Sequence, residues 1–101
     1  MCNVFASQDP STYACETRAI RLHGHCTSIR LEAGFWGVLE RIAAAEGTSV
    51  ARFLATLHDE VLARRGEIGN FASLLRVTCL HWLENQDRHD ADIAAQAKRA
   101  A

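Results

Sequence analysis

The stretch TSIRLEAGFWGVLERIAAAEGTSVARFLATLHDEV, Thr27 to Val61, changes hydrophobic period once and breaks once, and those two features decide the fold. In Thr27-Ser28-Ile29-Arg30-Leu31-Glu32 apolar and polar residues alternate. Ile29 and Leu31 take one face and Ser28, Arg30 and Glu32 the other, which is a half-buried strand. From Phe35 the apolar residues Phe35, Trp36, Leu39, Ile42 and Ala43 recur at helical spacing, with Glu40 and Arg41 off the stripe. Glu46-Gly47 stops that helix because glycine adopts the left-handed C-terminal conformation cheaply. Thr48-Ser49 then supplies a hydroxyl cap for a second helix carrying Val50, Phe53, Leu54, Leu57 and Val61, which ends at Arg64-Arg65-Gly66.

Outward from this unit, Arg18 to Leu22 alternates weakly, with Ile20 and Leu22 on one side and Arg21 on the other. His23-Gly24-His25-Cys26 follows, with Gly24 permitting a turn and His25 expected to fix it by hydrogen bonding. Residues 1–17 lack period and read as an irregular arm with a turn at Asp9-Pro10-Ser11. After the Glu67–Asn70 connector, Asn70 caps a third helix. Its stripe is Phe71, Leu74, Leu75, Thr78, Trp82 and Leu83, widened by Val77 and Leu80. The domain is therefore expected over 18–83, and 84–101 reads as a polar, alanine-rich tail.

The fold class is mainly α with a short β ribbon. A lone strand leaves backbone groups unpaired, and an isolated ribbon is marginal in water. Pairing of the 27–32 strand with its twin in a second copy is thus expected, giving an intertwined homodimer, with the Arg18–Leu22 strand either beside that ribbon or folded back on it. Its core would be Ile29, Leu31, Phe35, Trp36, Leu39, Ile42, Phe53, Leu54 and Leu57, and both Trp36 and Trp82 are expected in the core.

Several function classes fall away. No apolar run is long enough to span a membrane, and the N-terminus has no secretory pattern, so the expected compartment is cytoplasmic. The widely spaced Cys2, Cys15, Cys26 and Cys79 make no C-x-x-C pair, so they read as free thiols, with Cys79 a small buried hydrophobe. Three neighbours in one turn rarely converge on one ion, so no metal and no cofactor is expected at His23-His25-Cys26. Neither Cys26 beside His25 nor His58 beside Asp59 can face its neighbour, so no catalytic residues are expected and the chain reads as a non-enzyme. The formal net charge of -1 gives no support to a nucleic-acid partner. Placement answers in part, because Arg18, Arg21 and Arg30 outweigh Asp9 and Glu16 in the first 31 residues, six arginines in a dimer.

Ser28-Ile29-Arg30-Leu31-Glu32, the Phe35-Trp36 to Ile42-Ala43 run and Gly47-Thr48-Ser49-Val50 resemble, in that order, the ribbon-helix-helix family. Gly24-His25, Thr27 to Glu32, Phe35-Trp36 and Asn70-Phe71-Ala72-Ser73 with Arg76 are similar to an uncharacterised bacterial subgroup of it. The resemblance implies a homodimeric regulator of transcription, a repressor, whose intermolecular antiparallel ribbon enters the major groove of duplex DNA. It implies base contacts from Ser28 and Arg30, with Cys26 at the same parity, and phosphate contacts from Thr48, Ser49 and Val50 at the second helix's start. By charge placement, Arg21 and Arg18 are expected to add to those phosphate contacts. Two rival readings stand beside this one. One is an antitoxin-like interaction module with little DNA affinity, using the third helix or tail to bind a protein partner. The other is a thiol or metal sensor built on His23, His25 and Cys26.

Overall fold

The alternation at Thr27–Glu32 and the weaker one upstream form the two strands of a single hairpin. The computed structural model describes residues 3–86. Its elements are α1 (Asn3–Ala6), α2 (Pro10–Tyr13), β1 (Cys15–Leu22), β2 (His25–Glu32), α3 (Ala33–Ala45), α4 (Val50–Arg65) and α5 (Phe71–Glu84). β1 and β2 pair antiparallel, from Cys15 opposite Glu32 to Leu22 opposite His25. The connecting residues His23 and Gly24 both have positive φ, 52° and 79°, as a type I′ turn requires. That backbone matches the strands' own twist and closes the ribbon over a minimal loop.

The ribbon seen here is therefore made within one chain. The expectation that β2 pairs with its twin is replaced at this edge by β1, which lies only a short turn away and costs little loop entropy. The upstream strand also starts earlier than expected, at Cys15 instead of Arg18, so the arm ends before it. Nor is the arm wholly irregular. Asp9 Oδ1 accepts from the Ser11 N–H at 3.0 Å with Pro10 in the first turn, so the Asp9-Pro10-Ser11 turn opens the short α2.

The inner face of the ribbon carries Ile20, Leu22, Ile29 and Leu31, all buried. Against them pack Trp36, Leu39 and Ile42 of α3, Leu54 of α4, and Leu75 and Cys79 of α5. Phe35, Phe53 and Leu57 are partly buried against the same cluster. The side chains expected at a dimer core thus lie in the core of one chain. Trp36 is 1% exposed, and its indole Nε1 donates to the Glu16 carbonyl at 2.8 Å, which ties α3 to β1.

The helix ends follow the local chemistry. At the end of α3, Gly47 has φ 71°, its N–H donates to Ala44 O at 3.1 Å, and Thr48 N–H donates to Ala43 O at 2.9 Å. This pair of bonds around a left-handed glycine closes the helix in the Schellman manner. Ser49 Oγ accepts from Arg52 N–H at 3.2 Å and Asn70 Oδ1 from Ser73 N–H at 3.1 Å, so both expected caps form.

α5 is rotated relative to its expected stripe. Leu75 and Cys79 are its fully buried positions, whereas Val77 and Leu80 are 60% and 51% exposed and Leu83 also faces out. Trp82 is half-buried and packs against the same core cluster, with the Arg41 guanidinium 5.0 Å from its ring centroid. Beyond Gln86, the tail expected from residue 84 onward lies outside the described residues.

Candidate nucleic-acid interface

A ribbon packed on one face must leave the other to solvent, and here that second face is polar. The register sets Thr17 opposite Arg30, Ala19 opposite Ser28 and Arg21 opposite Cys26, all exposed. Thr17 and Ala19 thus join the expected Ser28, Arg30 and Cys26 on one surface. Strand parity is the signal that finds them, within the expected 18–22 strand for Ala19, and for Thr17 only once Cys15–Thr17 is seen to belong to β1.

Charge on this face is set by how the neighbouring carboxylates are engaged. Glu16 pairs with Arg18, and Arg18 Nη2 also meets Glu40 Oε1 at 2.9 Å. Glu32 meets Arg76, with Nε–Oε1 at 3.0 Å and Nη2–Oε2 at 3.4 Å. That bidentate bond holds the Glu32 carboxyl below its ordinary range. Both carboxylates of the ribbon's open end are therefore matched by arginines that do not lie on the outer face. Arg30 makes no ion pair among the described residues, and Arg21 makes only a bond from Nη1 to Gly24 O at 3.3 Å.

Arg18 differs from its two companions. It has the parity of Ile20 and Leu22, and its guanidinium sits 4.6 Å from the Trp36 ring centroid between Glu16 and Glu40. The expectation of three arginines on one surface is corrected to two, Arg21 and Arg30. Arg18 is held on the core side by a cation–π contact and two carboxylates.

At the start of α4, the Thr48 N–H donates to Ala43 O, while the N–H groups of Ser49 and Val50 donate to no backbone carbonyl among the described residues. The free N–H groups and helix dipole favour an anion there. Thr48 Oγ1 is buried without a hydrogen-bond partner among the described residues.

At the ribbon tip it is His23, not the expected His25, whose side chain makes the polar contact. His23 Nε2 lies 2.8 Å from Asp59 Oδ1, and its ring packs edge-on to His58 with centroids 5.3 Å apart. His58 and Asp59 are adjacent on a helix and so do not face one another, yet a third group from another element gathers them into one cluster.

Among the described cysteines, Cys15 and Cys26 are exposed and Cys79 is buried. Burial pushes the Cys79 thiol from 9.0 to about 11, and its Sγ donates to Phe35 O at 3.6 Å. Because a thiolate is the reactive form, iodoacetamide at mildly alkaline pH should modify Cys15 and Cys26 while sparing Cys79 until the protein is denatured. Peptide mass mapping after a timed pulse checks this. Equal labelling of Cys79 in the native protein would contradict its burial. The raised thiol also sets a direction with pH: its contribution to stability is whole below pH 9 and declines as pH rises from 9 towards 11, where the unfolded chain ionises first.

A two-stranded antiparallel ribbon, apolar beneath and polar above, followed by helices joined through a glycine-threonine-serine turn defines a ribbon-helix-helix domain. The model of the ribbon-helix-helix domain family matches residues 15–83, and the chain belongs to that family. Among solved structures it is similar to an uncharacterized protein from Bordetella pertussis Tohama I. The two share 43% sequence identity with a TM-score of 0.83, over 87% of this chain and 70% of that one. No curated protein matches the chain. The family is typical of DNA-binding transcription regulators and antitoxins and is not a catalytic fold. No helix among the described residues is long and apolar enough to cross a membrane.

Proposed function

We propose that this protein is a dimeric DNA-binding transcription regulator, acting in the cytoplasm as a repressor, that lays the outer face of its ribbon in the major groove. One observation carries the reading: Arg21, Arg30, Ser28 and Thr17 share an exposed ribbon face, and the two arginines lack carboxylate partners among the described residues. A two-stranded ribbon fits the major groove, where each base pair shows a distinct donor and acceptor pattern. Arg30 is the base reader, bidentate to guanine, and Ser28 adds a less selective contact. Cys26 completes the row at the same parity. Arg21 and the N–H groups of Ser49 and Val50, beside Thr48, hold phosphates and set the docking angle. Arg18 has no part in this contact, since its guanidinium is already matched by Glu16 and Glu40. Two copies related by a two-fold axis present the face twice, which suits a palindromic operator.

The test is binding of the purified protein to duplex DNA from upstream of its own gene, titrated against salt and against an unrelated duplex. Tight, salt-sensitive binding with preference for the upstream duplex is expected. Weak binding without preference would remove the regulator reading. The second reading, a protein-interaction module, draws on Val77, Leu80 and Leu83, which lie apolar and exposed along α5. It predicts that charged replacements there abolish partner capture while leaving DNA affinity as it was.

A further inference from the structure

The tip of the ribbon and the middle of α4 bring three metal-ligating side chains together, His23 from far away in the sequence to the neighbours His58 and Asp59. One ligand atom each from His23, His58 and Asp59 lies within 4.8 Å of the others. His23 and Asp59 already share a 2.8 Å contact between Nε2 and Oδ1. In a zinc shell, bonds of about 2.0–2.2 Å put tetrahedral ligands about 3.4 Å apart, so seating an ion needs the His23–Asp59 pair to open by roughly 0.6 Å and the widest pair to close by up to about 1.4 Å. Both His23 and Asp59 are about half exposed, and their side chains have room to supply it.

Three further features favour an ion over a simple surface pair. His23 is held at φ 52° by the type I′ turn, a conformation a non-glycine residue adopts uncommonly, so its ring is carried on a fixed backbone. His58 Nδ1 is buried without a hydrogen-bond partner among the described residues, and the ring is positioned instead by edge-on packing against Phe71 at 5.1 Å. The cluster thus contains a ring nitrogen that no described group satisfies. His25 lines the same cleft as His23 and His58, so a further imidazole borders the cluster.

We propose that His23, His58 and Asp59 form a binding site for a divalent transition-metal ion of the zinc, cobalt and nickel type, which clamps the ribbon tip to α4. Two imidazoles and one carboxylate suit these borderline ions better than calcium or magnesium, which prefer all-oxygen shells. Loading requires the His23 and His58 rings to be neutral at the ligating nitrogens, and the ion then takes the place of the proton between His23 and Asp59. The site stands apart from the outer-face residues and does not rest on the DNA reading.

The experiment uses the full chain, stripped with chelator and desalted, titrated with zinc chloride and separately with cobalt chloride. Saturable binding of one zinc ion per chain is expected by calorimetry. With zinc a hundredfold above Kd, the melting temperature should rise by roughly 10 °C or more. The cobalt form should show visible absorption without the intense near-ultraviolet thiolate band, which separates this site from the exposed Cys15 and Cys26. Two variants keep the fold: His23→Asn, because asparagine tolerates the left-handed turn, and Asp59→Asn, a near-isosteric change on an exposed residue. Each should weaken zinc binding at least tenfold and remove most of the thermal shift. Absence of saturable binding, a thiolate band in the cobalt form, or affinity unchanged in either variant would overturn the proposal.

Discussion

Trp36→Ala should lower the stability of the protein by about 3–5 kcal/mol, the largest loss expected from any single truncation here. The indole is 1% exposed and packs between the ribbon and the helices, so its removal leaves a cavity that neighbours on a sheet and three helices cannot all close. Two specific contacts disappear with it. The Glu16 carbonyl loses its Nε1–H donor, and Arg18 loses the ring beneath its guanidinium. For a domain of this size the loss corresponds to roughly 12–40 °C in melting temperature, a large share of total stability. Thermal melting followed by circular dichroism measures it. Trp36→Phe retains much of the volume without the donor, so it should fall between wild type and alanine. A melting temperature unchanged by Trp36→Ala would show that the indole is not central to this core.

The same melts bear on assembly. The core residues expected at a dimer interface pack within one chain, so a single copy has a core of its own. If dimerisation adds stability, the melting temperature rises with protein concentration; if the intrachain core suffices, it does not.

How far the sequence reveals this arrangement differs from element to element. β2, α3 and α4 are legible because each presents an unbroken apolar period, with a glycine after each helix and a hydroxyl cap before α4, and those residues form the observed caps and core. β1 is only half legible. Its positions with inward parity begin with Glu16 and Arg18, whose charges pair with each other and with Glu40 near the edge of the core, so the alternation shows only from Ile20 onward. The hairpin turn is legible at Gly24 but not at its first position, where His23 occupies a left-handed place usually signalled by asparagine, aspartate or glycine. α5 misleads through excess, because a stripe widened by Val77 and Leu80 does not say which edge is buried, and packing selects Leu75 and Cys79. The outer face is legible at Ser28 and Arg30 by parity alone. The separation of Arg18 from Arg21 follows from the same parity once both are placed on one strand. The His23, His58 and Asp59 cluster has no local signal at all, since it joins a turn to a helix through tertiary packing.

Arg30→Ala is the second change expected to have a large effect, and it acts on recognition instead of stability. The side chain is exposed on the outer face and makes no ion pair among the described residues, so its loss should leave stability within about 0.5 kcal/mol of wild type. A bidentate arginine–guanine contact discriminates by about 1–3 kcal/mol. A dimer loses it twice, so preference for the upstream duplex over an unrelated one should fall by roughly 30-fold to 10⁴-fold. Arg21→Ala should behave differently. As a phosphate contact it should weaken both duplexes alike and reduce the slope of log affinity against log salt by about one per phosphate lost. Arg18→Ala supplies the contrast that geometry makes available, because it removes the same charge from the same strand on the opposite face. Its effect should appear in stability, through Trp36 and Glu40, with little change in duplex preference. Fluorescence anisotropy with both duplexes at two salt concentrations separates the three variants. If Arg18→Ala and Arg30→Ala cost equal preference, recognition depends on net charge and not on the face of the ribbon, and the proposed docking is wrong.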